Sequence, residues 1–432
     1  MTLGPLPMEI DWIQFWSIPV FTAVIGWLIN WTGLWMLFAP IRFHGFKVRG
    51  LQDIAGALPR KLQEVPGILN GRLGWQGIVP MRAAKMGSIA VDRALSKMAT
   101  ASEFYYQLDP DQIADHIVTV FRPELPGMVD EIMWREHPRL WRDLPRPVRA
   151  AVIERVKDQL PGVVRQVTTE IGEHVDQLLD PKIMVIDNFE KNPAIVVRIF
   201  KDFGRRELRM MVIFGFIFGF LLGIPVAFLD HLFHQWWLLP VLGILVGWTT
   251  NLLGMWLIFE PPEPRGIGPF KFQALFAQRQ WEASDVYAKH IAMDVITLER
   301  IGDHLLNGPA GDRTRQMIAK ALEPAISSAI GPAAGAIRVA VGSRKFDTIR
   351  ESIAVTSVDY TLAPFKDAAF SEQQSKKIRT LIAERCRALP SPVFIEMMRA
   401  AIKEDEWLLY AHGAIMGFVG GLLHLWIFGV GG

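Results

Sequence analysis

The sequence predicts an all-α integral membrane protein with four transmembrane helices, arranged as two tandem repeats of span, cytoplasmic helical domain and span. Three observations predict it: four apolar stretches of bilayer length, a duplicated motif inside two of them, and helix-period patterning in the long segments between. Half of the 432 residues are hydrophobic and 21% are charged, a balance too apolar for disorder. The net charge of +2 excludes a strongly basic nucleic-acid binder, and no nucleic-acid partner is expected. Cys386 is the single cysteine, so the chain has no internal disulfide framework and no thiolate zinc cluster of its own.

A helix needs roughly 20 apolar residues to cross a bilayer. The stretches that qualify run from Phe15 to Phe38, Met210 to Leu229, Trp236 to Phe259 and Trp407 to Phe428. The first has no basic region before it and no small-residue cleavage site after it, so it reads as a retained span and not a signal peptide. The chain then divides at 1–39 (tail and first span), 40–209 (first cytoplasmic domain), 210–260 (a tight hairpin of spans two and three), 261–406 (second cytoplasmic domain) and 407–432 (fourth span and tail).

Charge sets the expected orientation. No Lys or Arg precedes Arg42, none lies between Met210 and Pro264, and none follows Lys403. Arg42, Lys47, Arg49, Arg205, Arg206 and Arg209 flank the spans on the side of the long segments. The positive-inside rule makes that side cytoplasmic. Both termini are therefore expected to face outward and the large domains to lie inside. Eleven of the fifteen tryptophans fall in or beside the spans, where indole rings settle at the headgroup level.

The stretch Gly26 to Pro40 lies over Gly247 to Pro261 with seven identities: Gly26/Gly247, Trp27/Trp248, Asn30/Asn251, Gly33/Gly254, Trp35/Trp256, Phe38/Phe259 and Pro40/Pro261. Gly215, Ile217, Gly219 and Phe220 fall over Gly413, Ile415, Gly417 and Phe418. Both copies enter the membrane in the same sense, a parallel repeat. On each first span the small residues and the asparagine share a helix face: Gly26, Asn30, Gly33 and Gly247, Asn251, Gly254. Small residues let backbones approach and a buried Asn finds a partner across the contact. These six residues are expected to pack the two repeats on each other near the pseudo-axis; the alternative is that each asparagine caps a local irregularity or meets water.

The motif from Gly26 to Pro40, followed by Gly56-Ala57-Leu58-Pro59-Arg60-Lys61, resembles a bacterial multi-pass membrane-protein family of unknown function whose members include the YheB-like and YjiN-like proteins. Leu28-Ile29 departs from the family's threonine before the asparagine, and Thr249-Thr250-Asn251 is closer to it. The resemblance implies a bacterial multi-pass membrane protein and no particular activity.

Both long segments read as helical. Val152, Val156, Leu160, Val163, Val167, Ile171, Val175 and Leu178 recur at three or four residues, either as a bundle core or as a face that shields a lipid chain. Ser371 to Gln374 reads as a capping box. The stretches 194–209 and 393–406 read as stalk helices continuous with spans two and four. Little or no sheet is expected.

Candidate chemistry is sparse. Arg135, Arg139, Arg142, Arg146 and Arg149 alternate at spacings of four and three beside Trp134 and Trp141, candidate contacts for anionic lipid headgroups. Asp230, His231, His234 and His424 are weak metal candidates at the outer ends of spans; no metal site is assigned from them. No phosphate loop, dinucleotide fingerprint or nucleophile elbow stands in a credible context, so no cofactor and no catalytic residue is assigned. Excluding their ends, the spans hold no Asp, Glu, Lys or Arg, which argues against a coupled pump. The expected function is non-enzymatic, a scaffold or lipid-handling envelope protein. Its expected partners are membrane lipids, with other envelope proteins or self-association as further ones. The alternative is a passive transporter or channel along the pseudo-twofold axis beside Asn30 and Asn251.

Overall fold

The computed structural model describes residues 12–48, 68–69, 72–92, 100–267, 270–341, 351–358, 363–400 and 402–429. The Gly56–Lys61 part of the family motif, Arg49 and the N-terminal tail before Trp12 lie outside these residues. The described chain is almost entirely helical, and four of its helices are long and apolar enough to cross a membrane.

In chain order the elements are α1 (Trp12–Phe38), β1 (His44–Lys47), β2 (Ile68–Leu69), β3 (Arg72–Trp75), α2 (Ile78–Met81), α3 (Ala83–Ala90), α4 (Ala101–Gln107), α5 (Pro110–Glu136), α6 (Pro138–Asp143), α7 (Arg146–Leu178), α8 (Pro181–Lys191), α9 (Pro193–Phe203), α10 (Arg205–Phe233) and α11 (Leu238–Phe259). There follow β4 (Arg265–Ile267), β5 (Phe270–Phe272), α12 (Leu275–Gln278), α13 (Gln280–His290), α14 (Leu298–Asn307), α15 (Gly311–Val341), α16 (351–357), α17 (Ala368–Ala388), α18 (Ser391–Ala400) and α19 (Glu406–Phe428). The chain folds as two units, each drawn from both repeats. One comprises Met1–Ala90, Asn188–Tyr287 and Arg387–Gly432; the other comprises Val91–Asp187 and Ala288–Cys386. Each long segment contributes to both units, because its middle pairs with the middle of the other copy.

The first unit holds the four spans, α1, α10, α11 and α19. Here the glycine faces behave differently from expectation. Gly26 packs on Gly215, and Gly247 packs on Gly413, backbone against backbone, so close that a methyl on any of the four would collide with the partner's carbonyl oxygen. Each first span therefore zips to the second span of its own repeat, and Gly26 and Gly247 make their backbone contacts there. The physical reason is mutual: α10 and α19 carry their own small residues at the facing positions (Gly215, Gly219, Gly413, Gly417), so backbone contact is available within a repeat. Asn30 Nδ2 donates to the Met211 carbonyl at 2.6 Å and Asn251 Nδ2 to the Leu409 carbonyl at 2.6 Å, two equivalent bonds in the two copies. Gly33 and Gly254 do reach the other repeat, in ordinary contact with Leu409 (3.6 Å) and Met211 (3.5 Å).

The duplication continues past the spans. Pro40 and Pro261 both follow a cis peptide. Their carbonyls accept from Gly77 N (2.9 Å) and Ala274 N (2.8 Å) across equivalent antiparallel ribbons, β1–β3–β2 and β4–β5. Lys201 sits over Phe38 at 5.5 Å and Arg399 over Phe259 at 5.7 Å.

Two further expectations are corrected. The stalks are not continuous with the spans: α9 ends at Gly204 before α10 begins, and a 3-10 turn at Lys403–Asp405 separates α18 from α19. And α17 starts before Ser371, because Asp367 accepts from the backbone N–H of Ala369 (2.9 Å) and Phe370 (3.2 Å) and so caps the helix a turn earlier.

Candidate functional site

Four long or well-capped helices of the second unit build a cavity between them. α5 starts at a left-handed Asp109 (φ 59°) whose carboxylate accepts from Gln112 N at 3.2 Å, with Pro110 at the first helical position. From there Ile113, Ile117, Phe121 and Leu125 recur every four residues, which keeps them on one face. α7 runs unbroken through Pro161 and Gly162 and presents Val156, Leu160, Val163, Val167 and Ile171. α14 is capped by Thr297, which accepts from Arg300 N at 3.4 Å, and presents Leu298, Ile301 and Leu305. α15 adds Thr314, Ile318 and Leu322. These faces enclose about 210 Å³, and a second space of about 120 Å³ adjoins it through Val129, Ile132, Val156, Leu160, Val163 and Leu322.

The wall is hydrocarbon. Its few polar groups are turned to backbone: Tyr105 donates to the Thr168 carbonyl at 2.6 Å, Thr168 to the Val164 carbonyl at 3.0 Å, and Ser357 to the Ile353 carbonyl at 2.7 Å. Burial pushes the Tyr105 phenol far above its usual range, so it stays a neutral donor. At the smaller space the Gln159 amide donates to Ser328 at 2.6 Å while its carbonyl oxygen is buried without a partner in the structure. Along α7 the apolar face divides into two parts. Val175 and Leu178 are fully buried, whereas Val152, Val156, Leu160, Val163, Val167 and Ile171 are only half-buried. They are the ones that line the cavity. Both readings of that periodicity thus coexist on one helix, core at its C-terminal end and cavity wall before it.

The arginines run along three consecutive elements. Arg135 ends α5, Arg139 and Arg142 lie on α6, and Arg146 and Arg149 open α7, since Pro138 and Pro147 each restart the helix. Arg135, Arg139, Arg142 and Arg146 are exposed. Arg135 pairs with Glu136 at 3.3 Å, Arg142 with Asp143 at 3.1 Å, and Arg149 stacks 5.8 Å from the centre of the Trp141 ring. Of the two neighbouring tryptophans only Trp134 is exposed. Trp141 is 1% exposed, packs with Ile132, Met133 and Ile353, and donates to Asp130 at 2.8 Å. It is a core residue and not a headgroup contact.

The spans hold little space. The centre of the four helices encloses about 30 Å³, room for about one water or two, and neither Asn30 nor Asn251 lines it. Among the described residues no group of three or more His, Cys, Asp or Glu is placed to hold a metal ion. His231 and His234 have ring centres 5.5 Å apart. Asp230 is buried within α10, and His424 instead meets Ser17 at 3.1 Å and the rings of Phe21 and Phe428. Cys386 is fully buried, and burial pushes its thiol up to about 12, far from the range of a reactive thiolate.

Sequence reasoning picked out the α7 face but missed its partners. The four-residue spacing of Ile113, Ile117, Phe121 and Leu125 was the available signal. That α14 and α15, from the other repeat, close the cavity is a long-range fact that no local pattern carries. Comparison with family models, with curated proteins and with solved structures returns no match to this chain.

Proposed function

We propose that this is a membrane-anchored lipid-handling protein that holds a hydrocarbon chain in the cavity of α5, α7, α14 and α15. The observation that carries the reading is that cavity: about 210 Å³ with an apolar wall. A dry apolar cavity of roughly 150 Å³ already takes a benzene. The half-buried side chains of α7 gain burial from a bound chain, at about 0.8 kcal/mol per methylene.

The role is binding and not catalysis: Cys386 is sealed off, and the polar atoms of the cavity wall are committed to the backbone. The four spans anchor the chain in a bacterial inner membrane, with termini periplasmic and both long segments cytoplasmic. The charge asymmetry supports this orientation, and the Gly26–Pro40 motif supports membership of the family of unknown function that it resembles. Membrane lipids are the partners; envelope proteins or a second copy are those of a scaffolding form of the same role. The pore alternative draws less support, because the span centre is small and both asparagines are spent on backbone carbonyls.

Native mass spectrometry of the full-length chain tests the reading. The wild type should retain a substoichiometric or stoichiometric lipid after detergent stripping, and Leu160→Trp with Val163→Trp, which fill the cavity, should lose it while remaining folded. Equal lipid retention by the filled variant would place the lipid elsewhere and remove the proposal.

A further inference from the structure

The apolar walls say what part of a lipid enters; the charge beside them says which lipid. Between Trp134 and Arg149 the chain carries five arginines against two acids, Glu136 and Asp143. Arg139 and Arg142 lie on α6, and α7 opens with Arg146 and Arg149 and no acid in its first turn. Cations at a helix N-terminus face the positive end of the helix dipole, so this corner concentrates positive potential. The smaller cavity ends at the same corner: it is lined by Met133, four residues before the end-cap of α5, and by Val152, one turn beyond Arg149. The larger cavity then continues from it toward Tyr105 and Leu108. A basic ridge at one end of a continuous apolar slot is complementary to a molecule with a negative head and a hydrocarbon tail.

We infer that the second unit binds an anionic amphiphile, its head at Arg139, Arg142 and Arg146 and its hydrocarbon in the slot between α5 and α7. A fatty carboxylate and a lysophospholipid phosphate share this chemistry. The inference rests on the lipid-handling reading and adds to it the sign of the head.

Photolabelling of the full-length chain in nanodiscs of neutral lipid tests it. Three probes carry a diazirine near the chain end: hexadecanoate, a lysophosphatidate of the same chain, and the neutral hexadecanol. Labelled peptides of α5, α7 and α15 are then counted by mass spectrometry. At least one anionic probe should label them many-fold above hexadecanol, and whichever does so names the source of the head. In Arg139→Gln/Arg142→Gln/Arg146→Gln, whose exposed side chains leave the core intact, that labelling should fall by roughly five-fold per arginine, from about 1 kcal/mol each near a charged head. Hexadecanol labelling as strong as the anions, or labelling unmoved in the triple variant, would overturn this inference and leave the acyl-chain reading standing. No probe on those peptides would overturn both.

Discussion

Glycines that look alike in the sequence differ sharply in what a methyl would meet. At Gly26 and Gly247 it would strike the carbonyl of Gly215 or Gly413, while at Gly33 and Gly254 it would rest at van der Waals distance from flexible side chains. Gly26→Ala and Gly247→Ala should each destabilise the span bundle by about 1–3 kcal/mol, the usual range of overpacking. Gly33→Ala and Gly254→Ala should leave the thermal unfolding midpoint in detergent nearly unchanged; equal losses at all four would contradict the pairing. Buried His304 gives a pH dependence. Burial pushes its pKa below the ordinary 6.5, with Asp180, Asp187 and Asp303 opposing. The folded state thus holds it neutral while the unfolded chain protonates below 6.5. Its contribution is complete above that pH and is lost as pH falls through the depressed folded value. The unfolding midpoint should decline between pH 7 and pH 5 more steeply in the wild type than in His304→Gln, and parallel profiles would refute the assignment.

Between elements, the repeats exchange ion pairs. Glu207, at the start of α10, is 1% exposed and meets Arg279 of the other copy at 2.6 Å, while Asp405 beside α19 meets Arg82 at 3.3 Å. The hydrogen bonds that Arg279 donates to Glu282 and to Glu207 push its pKa up against its burial. Removing Arg279 would strand a buried carboxylate. Arg279→Met should therefore cost about 3–5 kcal/mol, measured by chemical denaturation in detergent. Lys85→Met breaks only the exposed contact with Glu404, and its effect should stay within about 1 kcal/mol. A small effect of Arg279→Met that matches the surface pair would show that the exchange does not hold the copies together.

For the whole molecule, the spans and the duplication were legible because both are local. An apolar run of bilayer length and a repeated Gly-Trp-x-x-Asn motif can be counted along the chain. What Gly26 would touch was not legible, since α1 and α11 present the same face and only the presence of Gly215 and Gly413 decides between partners. The breaks at Gly204 and at 403–405 hid inside periodicity that runs on across them. The cavity was half-legible: α7 announced an apolar face, but its closure by α14 and α15 joins residues more than a hundred positions apart.

The central claim is that this face meets lipid, and crosslinking from the protein side tests it most directly. A photoreactive benzoylphenylalanine would replace Leu160, in the cavity wall, or Arg155, on the exposed face of the same helix. Cells grown on radiolabelled acetate would be irradiated whole. The account predicts labelled lipid covalently attached at position 160 and not at 155; an unlabelled 160, or equal label at both positions, would contradict it.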